Sequence, residues 1–157
     1  MIATTLGVAG SSRWLAPEII DQPSRAKPVT ASKPADVFAF AMLAVEVFTG
    51  KVPFSNMKNV SVVIGIVGGK RPAKPQAAEQ LGLTAEMWRC VEKCWSPSPN
   101  KRPTIDEVVG AWETFVNRYV ASPVQVIHRP MYYVLHLGVQ ATNTKAFQLC
   151  GIICNLL

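Results

Sequence analysis

Charge is scarce in this sequence, and its scarcity excludes several classes of protein. Only 17% of the 157 residues are charged and 49% are apolar, a composition typical of a folded chain and not of a disordered one. The 16 Lys and Arg residues outnumber the 10 Asp and Glu residues, but they form no run, and aromatic residues make up only 8%. Nucleic-acid binders need a basic patch or interleaved aromatic residues, so we predict no nucleic-acid partner.

Long hydrophobic runs and export signals are also missing. The longest mainly apolar run, residues 146–157, is too short to span a bilayer as a helix, so we expect no transmembrane segment. The first ten residues lack the basic and apolar regions of a secretory signal. A cytoplasmic chain with four reduced cysteines is therefore expected. The ending Cys154–Leu157 has the spacing of a prenylation signal, but Asn155 is not aliphatic, so an ordinary apolar end is favoured.

The four cysteines form two pairs with i,i+4 spacing, Cys90 with Cys94 and Cys150 with Cys154. A zinc site is one interpretation of these pairs, but neither pair lies in a glycine-rich knuckle. The other interpretation is two thiols on one face of a helix, which the same spacing produces. We favour the second interpretation and predict no metal site.

Helix signals follow a proline-punctuated start. Residues 1–34 are expected to form loops because prolines interrupt them repeatedly. A central helix is predicted next, with Ser32 as its cap, Pro34 and Asp36 in its first turn, and Gly50 as its stop. Between residues 37 and 48 only Glu46 is charged, so this helix should be buried on all sides.

Three further helices are predicted from apolar spacing and caps. The first has the apolar stripe Val60, Val63, Ile64 and Val67. The second starts at Thr84 with a hydrophobic staple between Leu83 and Trp88, and its stripe is Trp88, Val91 and Trp95. The third follows a capping box formed by Thr104 and Glu107, and its stripe is Val108, Trp112, Phe115 and Tyr119. After residue 121 the periodicity disappears. The predicted fold class is mainly α, with an irregular tail over residues 122–157.

The order of these motifs resembles the C-terminal lobe of a protein kinase of the tyrosine-kinase-like group. Ala16, Pro17 and Glu18 resemble the motif that closes the activation segment, and residues 36–54 resemble the long central helix and its following loop. The sequences GGKRP at 68–72 and CWSPSPNKRPTIDEV at 94–108 resemble the later helices. The resemblance covers residues 7–121, so we interpret residues 1–121 as a partial kinase domain.

The resemblance also implies roles for particular residues. Glu18 would form a buried ion pair with Arg102, and Asp36 would accept hydrogen bonds from a catalytic loop. The substrate-positioning residues would be Ser11, Ser12, Arg13 and Trp14, and Ser11 favours Ser/Thr specificity over Tyr. Candidate phosphorylation sites are Thr4, Thr5, Ser11 and Ser12, although an ordinary hydroxyl-rich loop is the alternative for each one.

The catalytic motifs of the family do not occur in this sequence. It has no glycine-rich phosphate loop, strand lysine, catalytic-loop aspartate or magnesium-binding D-F-G, all of which phosphoryl transfer needs. We therefore assign no catalytic, cofactor-binding or metal-binding residue. ATP and Mg²⁺ are implied for the full-length family, and this chain alone is expected to be inactive.

Three interpretations stay open at this point. The chain is a kinase-family segment without catalytic parts, a non-catalytic module that binds a protein partner, or a truncated gene product. In the second case, the lobe face that a kinase covers with its other lobe would be apolar and exposed, and it would either dock a protein partner or self-associate.

Overall fold

The computed structural model describes residues 12–21, 32–77, 79 and 83–120. These ranges hold only helices and loops, with no strand, as the mainly α prediction requires. The helices are α1 (Pro17–Ile20), α2 (Lys33–Thr49), α3 (Asn59–Val67), α4 (Ala85–Cys94) and α5 (Ile105–Val120), and a 3₁₀ turn spans Pro99–Lys101. The chain divides into two compact units, Met1–Pro103 and Thr104–Leu157. The predicted boundary after residue 121 lies within the second unit and stays a prediction.

Helix α2 is the centre of the first unit, and its ends follow the predicted signals. The Ser32 hydroxyl accepts a hydrogen bond from the Ala35 amide at 3.3 Å, and Asp36 lies in the first turn. Gly50 ends the helix in the left-handed conformation, with a φ of 64°. Nine side chains of α2 are buried, and the helix packs against α4 and the 3₁₀ turn. The other side chains of α2 are half-buried, except for the exposed Lys33, so little of the helix meets solvent and its sequence carries almost no charge.

Two expectations for the first unit were wrong. Residues 1–34 were expected to be loop throughout, yet Pro17–Ile20 form one helical turn, which begins at a proline as many helices do. The predicted stripe of α3 is also wrong at three of its four positions, because Val60, Ile64 and Val67 are exposed. Val63 is buried as predicted, together with Val62 and Ile66. Six of the nine residues of α3 are Val or Ile and they lie on all sides of the helix, so periodicity alone could not select the buried face.

Helix α4 matches its predicted start and stripe. The Thr84 hydroxyl accepts a hydrogen bond from the Met87 amide at 3.2 Å, and Leu83 is fully buried before it. The stripe residues Trp88 and Trp95 are buried and meet edge to face, with ring centroids 5.4 Å apart. Val91 of the stripe is buried as well, and α4 adds Met87 and Cys94 to the core.

The second unit is described for α5 and its cap. The predicted capping box is present: the Thr104 amide donates to Glu107 Oε2 at 2.7 Å, and the Glu107 amide donates to Thr104 Oγ1 at 3.3 Å. Val108 and Trp112 of the predicted stripe are buried and Phe115 is half-buried, while the Tyr119 side chain and residues 122–157 lie outside the described part. Across the described ranges, no helix combines the length and the apolar character that crossing a bilayer requires.

Candidate functional site

The turn at Glu18 is tied to Arg102 by a paired hydrogen bond. Arg102 Nη1 lies 2.6 Å from Glu18 Oε1, and Nη2 lies 2.8 Å from Oε2, although the residues are 84 positions apart. Two further donors of the guanidinium bind the carbonyl oxygens of Pro34 and Ser96 at 2.9 Å each. The Arg102 side chain has no exposed surface, and that of Glu18 is 23% exposed. Burial raises the pKa of Glu18, but the hydrogen bond and charge of Arg102 outweigh burial, so the pKa is lowered.

A second arginine, Arg71, belongs to the same cluster. Its guanidinium carbon lies 4.9 Å from the ring centroid of Phe38, and that of Arg102 lies 5.1 Å from the same centroid. Arg71 donates to the carbonyl oxygens of Trp95, Ile66 and Lys70, at 2.9, 3.1 and 2.8 Å. Burial lowers the pKa of Arg71, the charge of Arg102 lowers it further, and Glu18 opposes both. The cluster therefore joins α1, α2, the end of α3 and the loop after α4.

Arg13 holds the segment before α1 against the loop that connects α2 and α3. All five of its N–H donors are used, two by Asn59 Oδ1 and one each by the carbonyl oxygens of Pro53, Phe54 and Met57, over 2.7 to 3.1 Å. Phe54 has a φ of 55°, which is a strained conformation for a residue other than glycine. The Arg13 guanidinium therefore fixes a strained turn and offers no donor to a substrate.

Trp14 provides the third attachment of this segment. Its indole Nε1 donates to Glu46 Oε2 at 2.9 Å, across 32 positions of sequence. Burial raises the pKa of Glu46, and the hydrogen bond from Trp14 partly offsets that rise. Arg13, Trp14 and Glu18 thus bind three different elements, so residues 12–18 are held along their whole length.

Asp36 differs from these residues because its carboxylate makes no hydrogen bond or ion pair within the described ranges. It is half-buried in the first turn of α2, and burial raises its pKa. A carboxylate in this state is available to donors from another segment. Ala16 is buried, and Pro17 is the first residue of α1, so both serve the turn that presents Glu18.

The remaining candidate residues are placed as follows. Ser12 is half-buried at the start of the described segment, whereas Thr4, Thr5 and Ser11 lie outside the described residues. Cys90 and Cys94 lie one turn apart on α4, and the pKa of Cys94 is raised by the hydrogen bond with Cys90 and then by burial. The described part of the chain contains no cluster of three or more metal-ligating side chains, and the second cysteine pair lies outside it.

Arg71 and Glu46 are the important residues that sequence reasoning missed. Glu46 carried a signal, since it is the only charged residue in the middle of a buried helix and a buried charge needs a partner. Arg71 carried none, because its partners are carbonyl oxygens and an aromatic ring, which leave no complementary charge in the sequence.

These features define a class of protein: the helical C-terminal lobe of a protein kinase domain, in which a buried central helix anchors the end of an activation segment. A model of the family described as protein tyrosine and serine/threonine kinase matches residues 4–111, well over half of the chain. The chain belongs to this protein kinase family.

Curated relatives agree with this assignment. A serine/threonine-protein kinase/receptor of Acanthamoeba polyphaga mimivirus is 35% identical over 106 residues, 68% of this chain and 6% of that protein. The serine/threonine-protein kinase STY17 of Arabidopsis thaliana is 33% identical over 101 residues, 64% of this chain and 16% of that protein. A serine/threonine/tyrosine-protein kinase of Arabidopsis thaliana is 29% identical over 110 residues, 69% of this chain and 25% of that protein. The chain thus spans a quarter or less of each of these relatives.

Proposed function

We propose that this chain is the part of a Ser/Thr protein kinase domain that anchors the activation segment and shapes the peptide-binding surface. The observation that carries the proposal is the threefold attachment of residues 12–18, through Arg13 to the α2–α3 loop, Trp14 to Glu46, and Glu18 to Arg102. Such an attachment gives a protein substrate a rigid surface, which positioning catalysis requires. The tyrosine-kinase-like group and the Ser/Thr preference are part of this proposal.

Phosphoryl transfer itself is assigned to the complete kinase domain. It needs a lysine on the phosphates, ligands for Mg²⁺ and a base for the substrate hydroxyl, and this sequence holds none of them in its required context. The chain by itself is therefore expected to bind no ATP and to transfer no phosphate. Asp36 is the group through which the lobe would meet a catalytic loop. A cytoplasmic location and a protein substrate complete the proposal.

A chimera tests the positioning role directly. Residues 4–111 would replace the matching segment of the kinase STY17, and the purified chimera would be assayed with ATP, Mg²⁺ and a mixed protein substrate. We expect phosphoserine and phosphothreonine in the products and no phosphotyrosine. The matched control is the same chimera with Glu18→Gln, which should lose activity because the segment loses an anchor. A folded, ATP-binding chimera that phosphorylates no Ser or Thr would contradict the proposal.

The nucleotide expectation is tested on the chain as it is. Thermal unfolding would be followed with and without saturating ATP and Mg²⁺, using a protein kinase with a complete domain as the positive control. We expect the same midpoint in both conditions. A stabilisation above about 2 kcal/mol would require a nucleotide site in this chain and would overturn the assignment of ATP binding to other parts of the domain.

A further inference from the structure

The outer face of α3 is exposed and apolar, and the attachment of residues 12–18 (the anchored segment) does not account for this. Val60, Ile64 and Val67 recur at i, i+4 and i+7 on this face and are 62%, 64% and 40% exposed. Val52, at 37%, is the only other large apolar side chain that is exposed in the described ranges. Single exposed apolar residues are ordinary, but here they concentrate on one helix, which is typical of a binding surface.

Positive charge borders this apolar stripe. Lys58 directly precedes α3 and Lys70 follows it, and both are exposed. The Lys70 side chain lies along the helix, since its Cδ is 3.3 Å from where a Cβ on Gly65 would be and its Nζ is 3.4 Å from Met57 Sδ. We call this surface, made of Val60, Ile64 and Val67 with Lys58 and Lys70, the α3 patch.

Few carboxylates oppose this charge. The sequence contains no Asp or Glu between residues 47 and 78. Helix α1, which packs against α3, ends beside the exposed Asp21, and its other carboxylate, Glu18, is paired with Arg102. The α3 patch therefore combines an apolar ridge with a positive field, and both properties need to be matched by whatever binds it.

We propose that the α3 patch docks a segment of a partner protein that carries apolar side chains flanked by Asp or Glu, as an acidic amphipathic helix does. A ridge of side chains at i, i+4 and i+7 fits the groove between the ridges of a second helix. Carboxylates at the edge of that helix would meet Lys58 and Lys70, which favours fast association and excludes basic competitors. The proposal concerns binding alone and does not depend on the proposed kinase function.

Other occupants match the α3 patch less well. A second copy of the chain would bring the same lysines face to face, so like charges would oppose the contact. Anionic lipid would suit the lysines, but membrane-binding faces usually carry aromatic anchors, and the three apolar residues here are Val and Ile. The patch also lies beside the anchored segment, because Asn59, which accepts two hydrogen bonds from Arg13, directly precedes Val60. A docked partner would therefore lie close to that segment.

The test is a selection of random displayed peptides, long enough for about four helical turns, against the full chain. We expect enrichment of sequences in which Leu, Ile or Phe recur at helical spacing among Asp and Glu. Binding of the enriched peptides would then be measured by fluorescence anisotropy against variants. Ile64→Ser should weaken binding about tenfold, because the peptide can no longer bury apolar surface against the Ile64 side chain. Lys58→Glu should weaken it by about the same factor through charge reversal.

Controls separate docking from folding. Arg89→Glu reverses an exposed charge on α4 and should leave the affinity unchanged. Val60→Ser provides a second change in the patch, and circular dichroism should show native helix content for every variant, since the changed side chains are exposed. Enriched peptides that lack acidic residues, or that bind Ile64→Ser as tightly as the original chain, would overturn the proposal. The proposal would also be overturned if no acidic peptide is enriched and the chain instead binds phosphatidylserine vesicles, or dimerises, in a way that Ile64→Ser abolishes.

Discussion

Replacing Glu18 with Gln removes the only carboxylate that, among the described residues, bonds to the fully buried guanidinium of Arg102. Arg102 would keep its bonds to the carbonyl oxygens of Pro34 and Ser96, but those dipoles do not neutralise its charge. Breaking a buried ion pair from one side costs roughly 3–5 kcal/mol, and we expect about 3 kcal/mol because the Glu18 side chain is 23% exposed. Urea unfolding followed by tryptophan fluorescence measures this loss. A change below about 1 kcal/mol, with an unchanged m-value, would refute the reasoning.

A matched substitution separates charge loss from the general effect of the Glu-to-Gln change. Glu46 also accepts a hydrogen bond and is half-buried, but its partner is the neutral indole of Trp14. Gln can accept the same bond, and burial already disfavours the Glu46 charge, so Glu46→Gln should change stability by less than about 1 kcal/mol. Equal losses for Glu18→Gln and Glu46→Gln would show that the cation at Arg102 is not the reason.

The effect of Glu18→Gln should also depend on pH. Because the pKa of Glu18 is lowered in the folded state from its ordinary value of 4.5, the ionised carboxylate stabilises the fold above that value. This stabilisation disappears as the pH falls through the folded-state pKa. The stability difference between the original chain and Glu18→Gln is therefore largest near neutral pH and shrinks in acid. A difference that stays constant from neutral pH to well below 4.5 would contradict the ion pair.

Two further predictions concern local backbone geometry. Arg13→Lys leaves three donors for the five hydrogen bonds that Arg13 makes, so it should lower the free energy of unfolding by about 2 kcal/mol and speed hydrogen exchange at residues 53–57. The control Arg89→Lys, on the exposed side of α4, should have neither effect. Gly50→Ala should destabilise the chain by about 1 kcal/mol because its φ is 64°, whereas Gly110→Ala, within α5 and with open space around it, should stabilise by about 1 kcal/mol. Thermal unfolding shows whether each variant is more or less stable than the original chain, and a change in the same direction for both would contradict the backbone argument.

Local signals predicted the helix ends because each one acts within a few residues. Ser32 and Thr104 cap with their own side chains, and Gly50 stops α2 through its own φ, so no distant contact is needed. The Glu18–Arg102 contact is different, since its 84-residue separation has no local signature. It could be predicted only because the resemblance to a kinase lobe associates these two positions.

The contacts that periodicity could not predict are those decided by packing or by backbone acceptors. Nothing within α3 distinguishes Val63 from Ile64, and only the packing of neighbouring elements buries the first and exposes the second. Arg13 and Arg71 bind mainly carbonyl oxygens, which every residue has, so their sequence positions do not reveal their partners. The substrate-facing role expected for Arg13 was drawn from the motif around it, and that motif gave no sign of the five hydrogen bonds that Arg13 makes to residues 53–59.

The cluster around Phe38 shows why the first unit needs an aromatic residue at that position. Two guanidinium groups and one carboxylate leave a net positive charge, and Arg71 and Arg102 repel each other. The ring of Phe38 is fully buried and lies about 5 Å from both cations. Its negative π face adds an attraction to those of the carbonyl oxygens that each guanidinium binds. A substitution such as Phe38→Leu would preserve most of the volume but remove that attraction. Urea unfolding should therefore show a larger loss of stability for Phe38→Leu than the roughly 1.5 kcal/mol that bounds most apolar swaps of similar volume.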